Sequence, residues 1–295
     1  MNKINCGSEK LKDLQMDDIT IVSLRKGISG MINGEKLTLA SNCYEKNINI
    51  VTDVEYAKKL FLYGLNTIDY RILLISNIRD KEFAKEKCEL LKSKKIIDDY
   101  IFSFDCSETI QQTFCGCDRE TFFRKTTLQE KIHALLRKKK IRSFYDGIYY
   151  SISQIASIVT CPTKWLLFIT EDVQLHPEAL AMWGGAAIGV INEREEVLVA
   201  NPVWNQQMNE AQKESLYEDD EFWYSECFSD QCFLINTDKM KSFKGILSEK
   251  NDKCEKTFPY YGGNCFERRV CAYMKNHHLL RATFKHDYYI HEDIT

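Results

Sequence analysis

The stretch WLLFITEDVQLHPEAL, residues 165–180, decides the fold, because a strand pattern passes into a helix pattern through two adjacent acids. Trp165 to Ile169 are all apolar, which is typical of a strand buried on both faces of a parallel sheet. Pro177 suits the first turn of the helix that follows. Glu171 and Asp172 are therefore predicted at the carboxyl end of a buried strand, where open α/β sheets bind ligands. Their like charges repel, which favours a divalent cation beside them, although a pair of solvated loop acids fits the same dipeptide.

Length and composition are those of a globular protein. The 295 residues are 44% hydrophobic, which is enough to bury a sizeable core. The net charge of −3 gives no global field that would attract nucleic acid. No secretory signal is found in the opening MNKINCGSEKLKD, and no apolar run is long enough to cross a bilayer. We therefore expect a cytoplasmic protein whose 12 Cys are free thiols, and no Cys spacing indicates a structural zinc site.

From Tyr70 onward, strand patterns alternate with helix patterns. Asp80 predicts a helix start, with Ala84, Cys88 and Leu91 at the i, i+4, i+7 spacing of one helix face. Further helices are predicted over 127–138 and 145–159, and strands over 71–77, 99–107, 165–169, 197–204, 231–237 and 282–290. This alternation predicts an α/β fold with a mixed, mostly parallel sheet flanked by helices.

The first 66 residues show a weaker pattern. Strands are predicted over 19–24 and 37–40, and Asp53 predicts the N-terminus of a helix with Val54, Ala57 and Phe61 on one face. We predict that residues 1–66 form a small N-terminal extension packed on a main domain of residues 67–295.

A nucleotide is the ligand that the strand ends favour. The sequence has no GxGxxG and no GxxxxGK[ST] motif, which disfavours a dinucleotide-binding Rossmann site and a P-loop. Asp105 lies near the end of the predicted strand 99–107, where it would bind a ribose or a base, or else cap the next helix. A diphosphate that has no glycine-rich loop to hold it needs a cation, which Glu171 or Asp172 would bind.

This arrangement resembles the GT-A fold glycosyltransferases, of the GT2-like or WavE-like kind that build polysaccharide or lipopolysaccharide. The Asp-x-Asp motif of that family binds Mn²⁺ or Mg²⁺ on the diphosphate of a nucleotide sugar, and it corresponds here to Thr170-Glu171-Asp172, with Thr in place of the first Asp. The resemblance extends over residues 68–295. It implies a metal site of Glu171, Asp172 and His291, the last of which lies in DYYIHED (287–293) after the final strand.

The same resemblance divides the main domain into a nucleotide-binding half, about residues 67–173, and an acceptor half, about residues 174–295. It implies that a sugar passes from a UDP-sugar to a glycan or a lipid-linked glycan. With a base present, direct displacement would invert the anomeric carbon, and retention stays open because the sequence shows no diagnostic nucleophile. The nucleotide-binding candidates are Asn77, Asp105, Arg142 and Asp146. The resemblance implies no oligomeric state.

Two acids are candidates for the catalytic base. Asp230 precedes the strand of FSDQCFLINTDKM (228–240), or else ends the loop before it. The usual acidic pair of the family would fall at Asn264-Cys265, where this sequence has no acid. Glu267, one helical turn after Asn264, takes its place as a candidate base, or else it forms a salt bridge with Arg268 or Lys275.

Aromatic and basic side chains complete the set. Trp204 and Trp223 are predicted to stack on sugar rings, the latter in an acceptor-binding loop over 205–225, although core packing is the usual role of Trp. The basic run in LLRKKKIRSF (135–144) is either solvated or in peripheral contact with an anionic membrane. Two alternatives stay open: a catalytically degenerate GT-A domain that binds a glycan or a partner, and a sugar nucleotidyltransferase. The second should have a glycine-rich, basic loop after its first strand, and ISNIRDKEF at that place contains no glycine.

Overall fold

The computed structural model describes residues 35–62, 68–114, 151–175, 179–247, 249 and 266–291, which belong to one compact unit between Gly34 and Thr295. Several predictions fall outside these residues: the strand at 19–24, the helix at 127–138, the basic run, Arg142, Asp146, Pro177 and Asn264-Cys265. None of the described helices is long and apolar enough to cross a membrane.

One mixed sheet organises the described residues. Its strands are β1 (Leu37–Tyr44), β2 (Tyr70–Ser76), β3 (Asp99–Phe102), β4 (Trp165–Ile169), β5 (Val173–Leu175), β6 (Val197–Trp204), β7 (Tyr217–Glu218), β8 (Phe222–Ser225), β9 (Cys232–Asn236) and β10 (Leu280–His291). Their order is β3-β2-β1-β4-β9-β6-β10-β8-β7, with β5 beside β10. Only β5, β8 and β9 of these described strands run opposite to the others. The predicted α/β fold with a mixed, mostly parallel sheet is therefore confirmed.

Helices cover both faces of this sheet. They are α1 (Ile48–Val51), α2 (Val54–Phe61), α3 (Lys81–Ser93), α4 (Ser107–Thr113), α5 (Ile152–Thr160), α6 (Ala179–Glu193), α7 (Met208–Glu214), α8 (Thr237–Ser242) and α9 (Phe266–Asn276), with a 3₁₀ turn at Ser103–Cys106. One core layer contains α2, α3 and α6, and the other contains α4, α5, α8 and α9. Each apolar stripe is therefore buried against the sheet.

Two predicted helix starts are confirmed in detail. The Asp53 carboxylate accepts hydrogen bonds from the backbone N–H groups of Glu55 and Tyr56 and so caps α2. Asp80 accepts one from Phe83 N and caps α3. Each carboxylate satisfies amides that have no partner within the first helical turn, which fixes where the helix begins.

The N-terminal boundary requires a correction. Residues 37–44, predicted within an extension outside the main domain, form β1, which lies between β2 and β4 in the parallel half of the sheet. Leu37 to Cys43 are all buried, because helices cover both faces of this strand. The segment LTLASNCY contains small and polar residues at buried positions, and its apolar pattern is therefore weaker than that of β2 or β4.

Two further segments differ from the prediction. The strand predicted over 99–107 ends at Phe102, after which the chain turns into the 3₁₀ segment and α4. The loop predicted over 205–225 contains α7, β7 and β8, and β8 pairs with β10. The aromatic residues of FWYS therefore belong to a buried strand rather than to an acceptor-binding loop.

Candidate functional site

The carboxyl ends of β1, β2, β3, β4, β6 and β10 meet at one edge of the sheet, together with the start of the antiparallel β9. From β1 the chain adds β2 and then β3 on one side, and it later adds β4 on the other side of β1. The gap between β1 and β4 is thus the topological switch point, where open α/β sheets bind ligands.

Glu171 lies at this switch point with its carboxylate turned into the protein. Asn42 Nδ2 donates to its Oε2 at 2.5 Å, and Asn47 Nδ2 donates to its Oε1 at 2.7 Å. The Tyr56 hydroxyl donates to the Glu171 backbone carbonyl at 2.7 Å. Burial, and then the charge of Asp172, raise the pKa of Glu171 to about 7. Both carboxylate oxygens of Glu171 therefore connect the end of β1 to the turn after β4.

Asp172 faces His291 instead. Asp172 Oδ2 lies 3.1 Å from His291 Nε2, because β5 pairs with the end of β10 and places Val173 opposite His291. Asp172 Oδ1 is buried and has no hydrogen-bond partner in the described part of the chain. Gln231 Nε2 lies 3.4 Å from the same ring nitrogen of His291.

The predicted metal set of Glu171, Asp172 and His291 is brought together in part and stays a prediction. No three His, Cys, Asp or Glu side chains among the described residues are placed to hold one metal ion. Asp172 and His291 come together as predicted, but the carboxylate of Glu171 is used in the contacts with Asn42 and Asn47. A carboxylate and a neutral imidazole still fit Mn²⁺ or Mg²⁺, which use few protein ligands when water and phosphate complete the coordination. The unpartnered Oδ1 of Asp172 supports this fit.

The two candidate bases interact with each other. Asp230 precedes β9, and Ser151 Oγ donates to its Oδ2 at 3.4 Å. Burial raises the pKa of the Asp230 carboxyl group. Glu267 lies in the first turn of α9, where burial raises its pKa and the negative charge of Asp230 raises it further. Both acids therefore hold protons more readily than solvated carboxyl groups do.

The nucleotide candidates lie further along the same edge. Asn77 follows β2 with a positive φ of 53° and a buried, unpartnered Oδ1 among the described atoms. Asp105 is exposed and pairs with Lys81 Nζ at 2.9 Å. Asp105 does not cap α4, because Cys106 is the N-cap residue there. Since β2 and β1 separate β3 from β4, Asp105 lies well away from Asp172.

The two tryptophans have different environments. Trp223 is 9% exposed, donates from Nε1 to Glu218 Oε2 at 2.7 Å, and has Lys285 Nζ 5.4 Å from its ring centre. Its indole is thus covered by protein, which corrects the prediction that it stacks on a sugar. Trp204, at the end of β6, is half-buried, and the Arg281 guanidinium carbon lies 5.4 Å from its ring centre.

The sequence reasoning missed three polar residues at the switch point. They are Asn42, Asn47 and Gln154, all of them buried. Asn42 Oδ1, Gln154 Oε1 and Thr170 Oγ1 have no hydrogen-bond partner within the described residues. Asn42 and Thr170 directly follow Ser41 and Ile169, the last residues that pair between β1 and β4. Helix α5 carries Gln154 and packs on these two strands. The run of polar residues in SNCYEKN, directly after an apolar segment, was the available signal.

A scan against protein-family models and a search of curated proteins gave no match to this chain. Among solved structures, it is similar to glucosyl-3-phosphoglycerate synthase from Mycobacterium tuberculosis in complex with Mn²⁺, UDP and glucosyl-3-phosphoglycerate, with 10% identity over 91% of this chain and 76% of that chain and a TM-score of 0.37. It is also similar to the apo form of mouse xyloside xylosyltransferase 1, with 8% identity over 83% of this chain and 84% of that chain and a TM-score of 0.43. At these values the likenesses carry no argument about activity, and the GT2-like or WavE-like assignment stays a prediction.

Proposed function

We propose that the protein is a glycosyltransferase that moves a sugar from a nucleotide sugar, specifically a UDP-sugar, to an acceptor hydroxyl. The observation that carries the proposal is the 3.1 Å contact between Asp172 and His291 beside the switch point, with Asp230 at the start of the neighbouring β9. A cation ligand pair and a partly buried base at a ligand-binding edge suit transfer from a diphosphate leaving group.

The nucleoside would bind at the switch point between β1 and β4. Asn42 Oδ1, Gln154 Oε1 and Thr170 Oγ1 are buried and unpartnered among the described residues. A base and a ribose offer N–H and O–H donors that would satisfy these oxygens, and unsatisfied buried oxygens cost free energy otherwise. Asn77 and Asp105 extend the same edge toward β3.

Asp172 and His291 would hold Mn²⁺ or Mg²⁺ against the donor diphosphate. When bound, the cation neutralises charge that builds up on the leaving diphosphate. Glu171 would act differently, by fixing the backbone from which Asp172 extends, because both of its oxygens already accept hydrogen bonds.

Asp230 would remove the proton from the acceptor hydroxyl. Burial raises the pKa of Asp230, which makes its carboxylate a stronger base than a solvated one. Glu267 would share this proton because its pKa responds to the charge of Asp230. Direct displacement with one base inverts the anomeric carbon. A glycan or lipid-linked glycan acceptor, a cytoplasmic location and contact with an anionic membrane belong to the same proposal.

Thermal unfolding of the purified protein tests the proposal. Each of a panel of nucleotide sugars would be added with Mn²⁺ and, separately, with a chelator. Ligand at a hundredfold excess over its Kd stabilises the native state by about 2.7 kcal/mol. We expect one UDP-sugar to raise the melting temperature only when Mn²⁺ is present, and Asp172→Asn to abolish this shift.

Glu195→Gln is the matched control, because Glu195 is an exposed acid in the turn before β6, at the opposite edge of the sheet. It should leave the shift unchanged. If no nucleotide sugar stabilises the protein, the proposal is wrong. A metal-dependent shift without release of UDP in the presence of any acceptor would instead favour the degenerate binding domain.

A further inference from the structure

Gln231 lies at the carboxyl edge of the sheet, opposite the acidic turn after β4. Antiparallel pairing places Cys232, the first residue of β9, opposite Ile169, the last residue of β4. One step beyond this pair, the Thr170 backbone N–H donates to the Gln231 carbonyl oxygen at 2.8 Å. Since Thr170 precedes Asp172 by two residues, this bond fixes the backbone of Gln231 beside the turn that carries Asp172.

The side chain of Gln231 contacts two residues of β10. Tyr289 and His291 are two positions apart in this strand, so their side chains lie on the same side of the sheet. The Tyr289 hydroxyl donates to Gln231 Oε1 at 3.3 Å, and Gln231 Nε2 lies 3.4 Å from His291 Nε2. Tyr289 is 1% exposed, and it therefore holds one end of the amide within the protein while the other end faces the imidazole.

A single ring nitrogen thus faces two side chains. His291 Nε2 lies 3.1 Å from Asp172 Oδ2 and 3.4 Å from the Gln231 amide nitrogen. When Nε2 bears a hydrogen atom, it donates to Asp172 but faces the N–H groups of Gln231. When Nε2 bears none, it accepts from Gln231 but its lone pair faces the carboxylate. No placement of this hydrogen atom therefore satisfies both contacts.

A divalent cation resolves this conflict when the Gln231 amide turns over. Turning exchanges the two ends of the amide, so that Oε1 faces His291 and Nε2 donates to the Tyr289 hydroxyl oxygen, which can accept as well as donate. An amide oxygen, a carboxylate oxygen and an imidazole nitrogen are then directed at one place. All three are ligands that Mn²⁺ or Mg²⁺ accepts.

The distances and the exposure suit a bound ion. An octahedral cation holds its ligands at about 2.1 Å, which places neighbouring ligand atoms about 3 Å from each other. The two distances from His291 Nε2, 3.1 and 3.4 Å, are close to this spacing. The side chains of His291 and Asp172 are 27% and 20% exposed, so an ion reaches them from solvent. The cation would also satisfy Asp172 Oδ1, which has no hydrogen-bond partner within the described residues.

We propose that Gln231 is a third protein ligand of the cation, through its amide oxygen, beside Asp172 and His291. This inference rests on the cation site of the proposed function. Gln231 and His291 are neutral ligands, so among these three only Asp172 offsets the charge of the ion. A net positive charge therefore remains to attract the donor diphosphate.

Mn²⁺ binding to the purified protein tests the inference, first with Mn²⁺ alone and then with UDP added. Electron paramagnetic resonance measures free Mn²⁺, and water-proton relaxation reports the number of water molecules on the bound ion. Gln231→Met keeps the length of the side chain but removes the ligand oxygen, so we expect about tenfold weaker binding and an additional water on the ion. Gln231→Glu keeps the oxygen and adds a negative charge, so we expect about tenfold tighter binding.

Gln212→Met is the matched control, because Gln212 is exposed in α7, and it should change neither measurement. Gln231→Glu has nearly the wild-type shape and decides the question even if Gln231→Met does not fold. Tighter binding by Gln231→Met would overturn the inference, because the amide N–H would then compete with the cation for Nε2.

An unchanged Kd for Mn²⁺ in both Gln231 variants would also overturn the inference, while loss of binding in Asp172→Asn would leave the proposed cation site standing. If the wild type binds no Mn²⁺ with or without UDP, the cation site of the proposed function is wrong as well.

Discussion

Asn47→Ala tests the network that holds the turn after β4. Asn47 is 4% exposed; its Nδ2 donates to Glu171 Oε1 at 2.7 Å, and its Oδ1 accepts from Tyr44 N at 2.8 Å. At a pH above the raised pKa of Glu171, the first contact involves a charged group and is worth about 1.5–3 kcal/mol, and the second is worth about 0.5–1.5 kcal/mol. Bulk water does not reach the first contact, because Glu171 is 5% exposed. We expect the variant to lose about 2–4 kcal/mol of unfolding free energy.

Urea unfolding, followed by far-ultraviolet circular dichroism, measures this loss. The control is Asn276→Ala, because Asn276 Nδ2 donates to Glu249 Oε1 in the same kind of pair on the exposed surface. Solvent replaces a surface contact, so the control should lose less than about 0.5 kcal/mol. The difference between the two variants isolates the effect of burial.

A double-mutant cycle tests the reason for the loss. If the Asn47 amide stabilises the Glu171 carboxylate, Asn47→Ala should cost about 1.5–3 kcal/mol less in a Glu171→Gln background, because the charged acceptor is gone. A loss equal to that of Asn276→Ala, or no coupling to Glu171, would refute the reasoning. The turn that carries Asp172 would then be held by other contacts.

Three further substitutions have outcomes that the structure predicts. Lys239→Met should lower the unfolding free energy in urea by about 1.5–3 kcal/mol, because the half-buried Nζ donates to backbone carbonyls at the end of α6 and the start of β6. Lys241→Met, in the same helix, should change this free energy little. In the wild type, activity should be lost as pH falls and Asp230 becomes protonated, and this acid limb should lie above the usual range of an aspartate because burial raises the pKa of Asp230. Asp230→Asn should abolish the acid limb of the pH–rate profile. Tyr56→Phe removes the hydroxyl that donates to the Glu171 carbonyl, and it should cost about 1 kcal/mol in the same urea assay, with no loss meaning that water substitutes for it.

The parallel core of the fold was readable because its strands are strongly apolar. Trp165–Ile169 and Val197–Trp204 have the predicted bounds, since each is buried along nearly its whole length and ends at polar residues. The placement of Asp172 and His291 at one edge follows from the same logic, because the carboxyl ends of parallel strands meet there. Asp230 lies at the same edge because β9 runs antiparallel and begins there. Which strand ends lie together was therefore predictable from the sequence, whereas the roles of these residues stay a prediction.

What the sequence could not predict depends on side-chain direction and on pairing. Glu171 and Asp172 are adjacent acids in the sequence, yet one turns inward to Asn42 and Asn47 and the other outward to His291. The central position of β1 decides between these directions, because Asn42 lies in β1 and Asn47 lies in the turn directly after it. A strand assigned to an extension contributes no donors to the site, so the contacts between the Glu171 carboxylate and the two asparagines could not be predicted.

The opposite directions of the two acids have a consequence for the donor site. With Glu171 occupied, the described chain offers a cation Asp172, His291 and the proposed ligand Gln231, and the remaining coordination positions must be filled by water or by the donor diphosphate. Hard divalent cations accept such sets readily when a substrate phosphate is one of the ligands. Because the cation and the diphosphate then contact each other, each must raise the affinity for the other by the same factor. Under the proposed function the protein would bind cation and donor as one unit, and its selectivity for the donor would not need a preformed metal cage.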